Sequence, residues 1–109
     1  MKRAEVWTVS GGPDYIGKPR PAVLVQDDHF DTDSVTICPF TTDPTDAPLF
    51  RLEIEPSLEN GLREPCRLMV DKVTTIPRSK LGDRMGVLVG ADMLRLNRAI
   101  VVFLGLASS

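Results

Sequence analysis

Gly17-Lys18-Pro19-Arg20-Pro21-Ala22-Val23-Leu24-Val25 is the stretch on which the fold turns. Prolines on both sides of Arg20 hold it extended, because a pyrrolidine ring fixes its own φ and disfavours the helical region for the residue before it. Ala22 to Val25 is then an unbroken apolar run, of the right length for a strand covered on two sides. The guanidinium therefore enters the strand from a stiff, preorganised segment.

Working outward, the loop from Ser10 to Pro19 holds three glycines and two prolines, which predicts a mobile, solvent-facing connection of the kind that carries sites. Before it, Glu5 to Val9 alternates polar and apolar residues and reads as the first strand. After it, Val35 to Phe40 is a second β-rich run. Pro39 within it cannot donate to a ladder and is expected at an edge, a bulge or a strand end. Phe50 to Glu55 alternates again, with Phe50, Leu52 and Ile54 on one face. Arg67 to Ile76 reads as a strand bent at Asp71-Lys72, in which alternation puts Asp71 and Val73 on one face and Lys72 and Thr74 on the other. Pro77 to Lys80 suits a short helical turn, and Met85 to Val89 is the last strand. Beyond Gly90, apolar residues from Met93 to Leu104 recur near helical spacing; Asp92 suits the positive N-terminal end, and Gly105 a left-handed stop. These runs predict a mainly β protein, a small barrel with an added C-terminal helix, as a single domain over residues 1–109.

Composition narrows the function. Of 109 residues 42% are hydrophobic and 26% charged, ordinary for a globular domain and far from the disordered range. The N-terminus, Met1 to Trp7, has no apolar core of signal-peptide length, and the run from Ala99 to Leu106 is far short of the roughly 20 residues a spanning helix needs. A cytoplasmic protein without a membrane partner is expected. Cys38 and Cys66 lack a CxxC or histidine context, so they predict reduced, partly buried strand residues and no metal. His29, among Asp27, Asp28 and Asp31, reads as an exposed loop histidine.

Net charge is −2 with pI about 5.3, which argues against a wholly basic nucleic-acid-binding surface. The average hides a polarity: six acids and no Lys or Arg lie between Asp27 and Asp46, whereas six bases face three acids between Arg63 and Arg84. Either the loops are solvated and of mixed sign, or one basic face takes an anionic ligand.

GxSxG, Walker-type glycine and HExxH motifs are all absent. Three local features remain. Arg20 is a five-donor fork matched to phosphate oxygens, or the partner of a surface ion pair. Thr41 and Thr42 end the strand Cys38-Pro39-Phe40, where hydroxyls bind a phosphate or close a turn. Val70-Asp71-Lys72-Val73-Thr74-Thr75-Ile76 carries polar residues inside a strand pattern.

In this order the three segments resemble the MazF/PemK family, toxins of type II toxin-antitoxin systems. Arg3-Ala4-Glu5-Val6-Trp7 is similar to the family's opening strand, and Gly17-Lys18-Pro19-Arg20-Pro21-Ala22-Val23-Leu24-Val25 and Cys38 to Thr42 follow as the family has them. Val70 to Leu81 is similar to the strand that leads to a short strand and a terminal helix. The resemblance implies an SH3-like β-barrel with added helices, the MazF/PemK/CcdB-type plasmid toxin fold, working as a homodimer. It implies a sequence-specific, metal-independent endoribonuclease that needs no cofactor, cleaves single-stranded RNA, usually mRNA, arrests growth, and is neutralised by a MazE-like antitoxin bound over the RNA groove. The family's catalytic Arg falls on Arg20 and its catalytic Thr on Thr41; Asp71 matches an acid implicated in some members. Lys18, Phe40, Thr42, Lys72 and Thr74 are expected to bind substrate. Two departures stand out: Asp14 to Pro19 replaces a Glu-Gln-x-Gly segment, and Met69 stands where some relatives have an arginine. The chemistry needs a base for the 2′-OH, charge stabilisation at phosphorus and a proton for the leaving 5′-oxygen; Arg20 suits the second role, and the base is Asp71 if it reaches the 2′-OH, or else a shifted Arg20 or solvent. The competing expectation is a non-enzymatic barrel toxin of the CcdB type that binds a protein such as DNA gyrase.

Overall fold

In a computed structural model of the chain, residues 1–10 and 18–107 are described. Seven strands form one antiparallel sheet: β1 (Glu5–Val9), β2 (Arg20–Leu24), β3 (Ser34–Thr41), β4 (Arg51–Ile54), β5 (Cys66–Met69), β6 (Thr74–Pro77) and β7 (Leu81–Val87), followed by α1 (Gly90–Phe103). Strand order is β4-β5-β3-β2-β1-β7, with β6 also paired to β3. Register irregularities between β1 and β7 at Trp7 bend that edge, as bulges do, and help roll the sheet into a barrel-like form that no described pairing closes between β4 and β7.

The apolar run in β2 is covered on both faces. Val23 is buried in the larger core, with Phe40, Leu68 and the inward residues Met93, Leu96 and Ala99 of α1; Ala22 and Leu24 are buried on the opposite face with Val35 and Ile37. Fully burying each such side chain contributes about 1.5–3 kcal/mol. The helix ends as expected: Gly105 has φ +74°, its N–H donates to the Val102 carbonyl at 3.0 Å, and the Leu106 N–H donates to Val101 at 2.9 Å, a Schellman closure.

The segment from Arg67 to Ile76 differs from the single bent strand expected. It is two strands joined by a 3₁₀ turn, Val70–Lys72, both pairing with the same flank of β3. Phe40 pairs with Leu68 and Ile37 with Thr74, so three steps along β3 face six along its partner, and the turn takes up the excess. The alternation that put Asp71 with Val73 and Lys72 with Thr74 is therefore broken. Val70 is the cause, since it turns inward and is only 2% exposed. Cys38 and Pro39 lie opposite this gap, where the proline's missing N–H is tolerated. The turn expected at Pro77 to Lys80 is present as a second 3₁₀ turn, Arg78–Lys80. The last strand runs Leu81–Val87 instead of Met85 to Val89, because pairing with β1 recruits the polar, mostly exposed residues Gly82, Asp83 and Arg84, which no apolar pattern marks.

Candidate active site

Arg20 is the first residue of β2 and Thr41 the last of β3, and the antiparallel register Ala22 with Pro39 brings these two ends together. Both line a cleft of about 500 Å³, along with Lys18, Pro19, Pro21, Phe40, Thr42, Leu62, Arg63, Glu64, Cys66 and Met85. Among the described residues its charged lining is three cations, Lys18, Arg20 and Arg63, against one carboxylate, Glu64. A smaller cleft of about 290 Å³ shares Thr41, Thr42 and Cys66 and continues past Glu53 and Arg67. On the other side of β2, Arg20 also lines a cleft of about 240 Å³ with Thr74, Ile76 and Lys80.

Of the two uses its position allows, Thr41 shows turn closure. Its Oγ1 accepts the Asp43 N–H at 3.1 Å and so closes the turn after β3. A hydroxyl has one hydrogen to give as well, and that hydrogen can donate to a phosphoryl oxygen in the cleft. Phe40 is 2% exposed, its ring packed in the core, so it supplies the cleft floor and no stacking face.

Asp71 sits elsewhere. Arg51, at the start of β4, donates to it twice, Nε to Oδ1 at 2.7 Å and Nη2 to Oδ2 at 2.9 Å, in a largely buried bidentate pair. The Arg51 hydrogen bonds hold the Asp71 carboxyl below the usual aspartate range. The structure thus brings Arg20, Thr41, Lys18, Phe40 and Thr42 into one cleft, puts Thr74 with Arg20 in another, and leaves Asp71 and the exposed Lys72 on the turn beyond them. Arg63 and Glu64 enter the sequence reading only through the charge balance of the basic stretch and not as site residues, since neither sits in an apolar run or a motif.

The bases of the stretch from Arg63 to Arg84 differ in their surroundings. Arg67, Arg78 and Arg84 pair with Glu53, Asp31 and Glu5, and of the six bases expected together only Arg63 lines the cleft with Arg20 and Thr41. Cys38 and Cys66 are free and buried; burial, then the charge of Asp71, pushes the Cys38 thiol up to about 12. His29 is exposed, and no metal-binding cluster of His, Cys, Asp or Glu is present among the described residues. Of the mobile loop expected from Ser10 to Pro19, residues 11–17 lie outside the described residues.

Residues 2–104 match the family described as PemK-like, MazF-like toxin of type II toxin-antitoxin system. The chain belongs to that family. It is 53% identical over 108 residues to a probable endoribonuclease MazF of Mycolicibacterium smegmatis, covering 98% of this chain and 99% of that protein. Its fold is similar to an endoribonuclease solved in complex with its cognate antitoxin from a mycobacterial species, with TM-score 0.81 at 23% identity over 100% of this chain and 99% of that one. It is also similar to the Mycobacterium tuberculosis toxin MazF-mt6, with TM-score 0.77 at 22% identity over 93% and 96% of the two chains. A MazE-MazF structure from Deinococcus radiodurans matches with TM-score 0.77 at 16% identity, over 96% and 95%. The seven-stranded sheet with one C-terminal helix is thus the fold of the MazF-like toxins. No helix among the described residues is long and apolar enough to cross a membrane.

Proposed function

We propose that this MazF-like toxin is a sequence-specific, metal-independent endoribonuclease that cuts single-stranded RNA, mRNA above all, and thereby arrests growth. The observation that carries the reading is the meeting of Arg20 and Thr41 in one cleft with Lys18 and Arg63, in a chain 53% identical to a probable endoribonuclease. In the reaction, the 2′-oxygen attacks the neighbouring phosphorus, the P–O5′ bond breaks, and the products are a 2′,3′-cyclic phosphate and a 5′-OH. Arg20 stabilises the charge that builds on the phosphoryl oxygens, where a preorganised donor in a shielded site counts for more than in water. The Thr41 hydroxyl orients one of those oxygens, and Lys18 and Thr42 hold the flanking chain.

The working unit is a homodimer in the cytoplasm. A MazE-like antitoxin neutralises it by covering the RNA groove. These partners fit the relatives, two of which are described as complexes with a cognate antitoxin or with MazE.

The test is to incubate the purified chain with a long unstructured RNA in excess EDTA, beside Arg20→Ala and Thr41→Val, and to map ends by primer extension. Discrete cuts, reduced in both variants, are expected. A folded wild type that makes no cut overturns the reading in favour of a protein-binding barrel, with gyrase as the next partner to assay.

A further inference from the structure

A ribonuclease of this kind must take a proton from the 2′-OH, and the clamp by Arg51 ties up the acid that the sequence offers for it. Both Asp71 carboxylate oxygens are engaged by Arg51, and the turn that carries them is not part of the Arg20 and Thr41 cleft. Within that cleft, the single carboxylate among the described residues is Glu64. Glu53, in the adjoining cleft, pairs with Arg67 at 3.4 Å. Glu64 makes no ion pair or side-chain hydrogen bond among the described residues, and it is exposed to the cleft's solvent.

The segment that presents it is built firmly. Asn60, 2% exposed, accepts the Ser57 and Leu62 N–H groups at 3.0 and 2.9 Å and donates to the Glu55 carbonyl at 2.9 Å. Gly61, at φ +71°, packs so closely that an added Cβ would lie 2.2 Å from the Met85 carbonyl oxygen. On the far side, the Cys66 thiol donates to the Glu64 carbonyl oxygen at 3.3 Å. Burial, then the Glu64 charge, pushes that thiol up.

We infer that Glu64 is the general base of this toxin. The inference rests on the ribonuclease reading. Its carboxylate takes the 2′-OH proton as the 2′-oxygen forms its bond to phosphorus; the P–O5′ bond breaks, the 5′-oxygen takes a proton from water, and Glu64 returns its own to solvent. Lys18, Arg20 and Arg63 line the same cleft, which places cations where the phosphate of the substrate would lie.

The experiment measures kcat, KM and the pH dependence of kcat for wild type, Glu64→Gln and Glu64→Asp, together with binding of an RNA carrying 2′-deoxyribose at the cut. General-base removal typically costs about 10²- to 10⁴-fold. Glu64→Gln is expected to lose about 100-fold or more in kcat, with KM and deoxy-RNA affinity within about 3-fold, and to flatten the acidic limb of the wild-type profile. Glu64→Asp is expected to recover part of the rate. If the wild type cuts and Glu64→Gln cuts within about 3-fold of it, the assignment fails. It also fails if the loss tracks weakened deoxy-RNA binding, which would make Glu64 a contact residue. A wild type that makes no cut overturns the ribonuclease reading and this assignment with it.

Discussion

Two arginines open strands in this molecule, Arg20 at β2 and Arg51 at β4, and they have opposite fates. Arg51 gives two hydrogen bonds to one carboxylate and fastens the Val70–Lys72 turn. Arg20 lines two clefts, one on each side of its strand. The difference teaches that the use a guanidinium can be put to depends on what the fold brings to its five donors. Close to Arg51 it brings a carboxylate on a turn; around Arg20 it brings the walls of two clefts, one of them shared with Thr41.

The largest test of this contrast is Arg20→Ala, expected to lower kcat/KM for RNA by about 100-fold or more, as removal of one electrostatic donor typically does. Equal activity in a folded protein would abolish the contrast. Asp71→Asn is next, and acts on stability: it leaves Arg51 largely buried beside a neutral amide, at an expected cost of about 1.5–3 kcal/mol, read from denaturant midpoints at constant m. Unchanged stability with cleavage abolished would return Asp71 to the chemistry. Because the folded carboxyl lies below the ordinary aspartate value, the pair's contribution is complete above that value and is lost as pH falls through the folded one. Wild type and Asp71→Asn should therefore converge in stability in strong acid and differ most at neutral pH. Smallest is Arg51→Lys, which keeps the charge and loses the fork, expected at about 1 kcal/mol.

Much of the fold was legible. The Arg20 to Val25 run announced a two-sided strand, and Val23 against Ala22 and Leu24 divides between two cores as that reading requires. Gly105 marked the helix end correctly. Short-range rules sufficed there because backbone torsion and burial are set within a few residues. The edge strand β7 was misplaced because its residues are held by pairing with β1 and carry no apolar alternation of their own.

By itself, then, the sequence determined the C-terminal helix and the strands up to β4, the family resemblance and the prominence of Arg20 and Thr41, all of which rest on local pattern and order along the chain. Only the tertiary structure decided which charges meet. It sent Asp71 to Arg51 through a register shift of β5 and β6 along β3, and it brought Glu64, 44 residues from Arg20, to the same cleft. Electrostatic partnership acts over a few ångströms of space, and separation along the chain says nothing about it until the sheet has rolled.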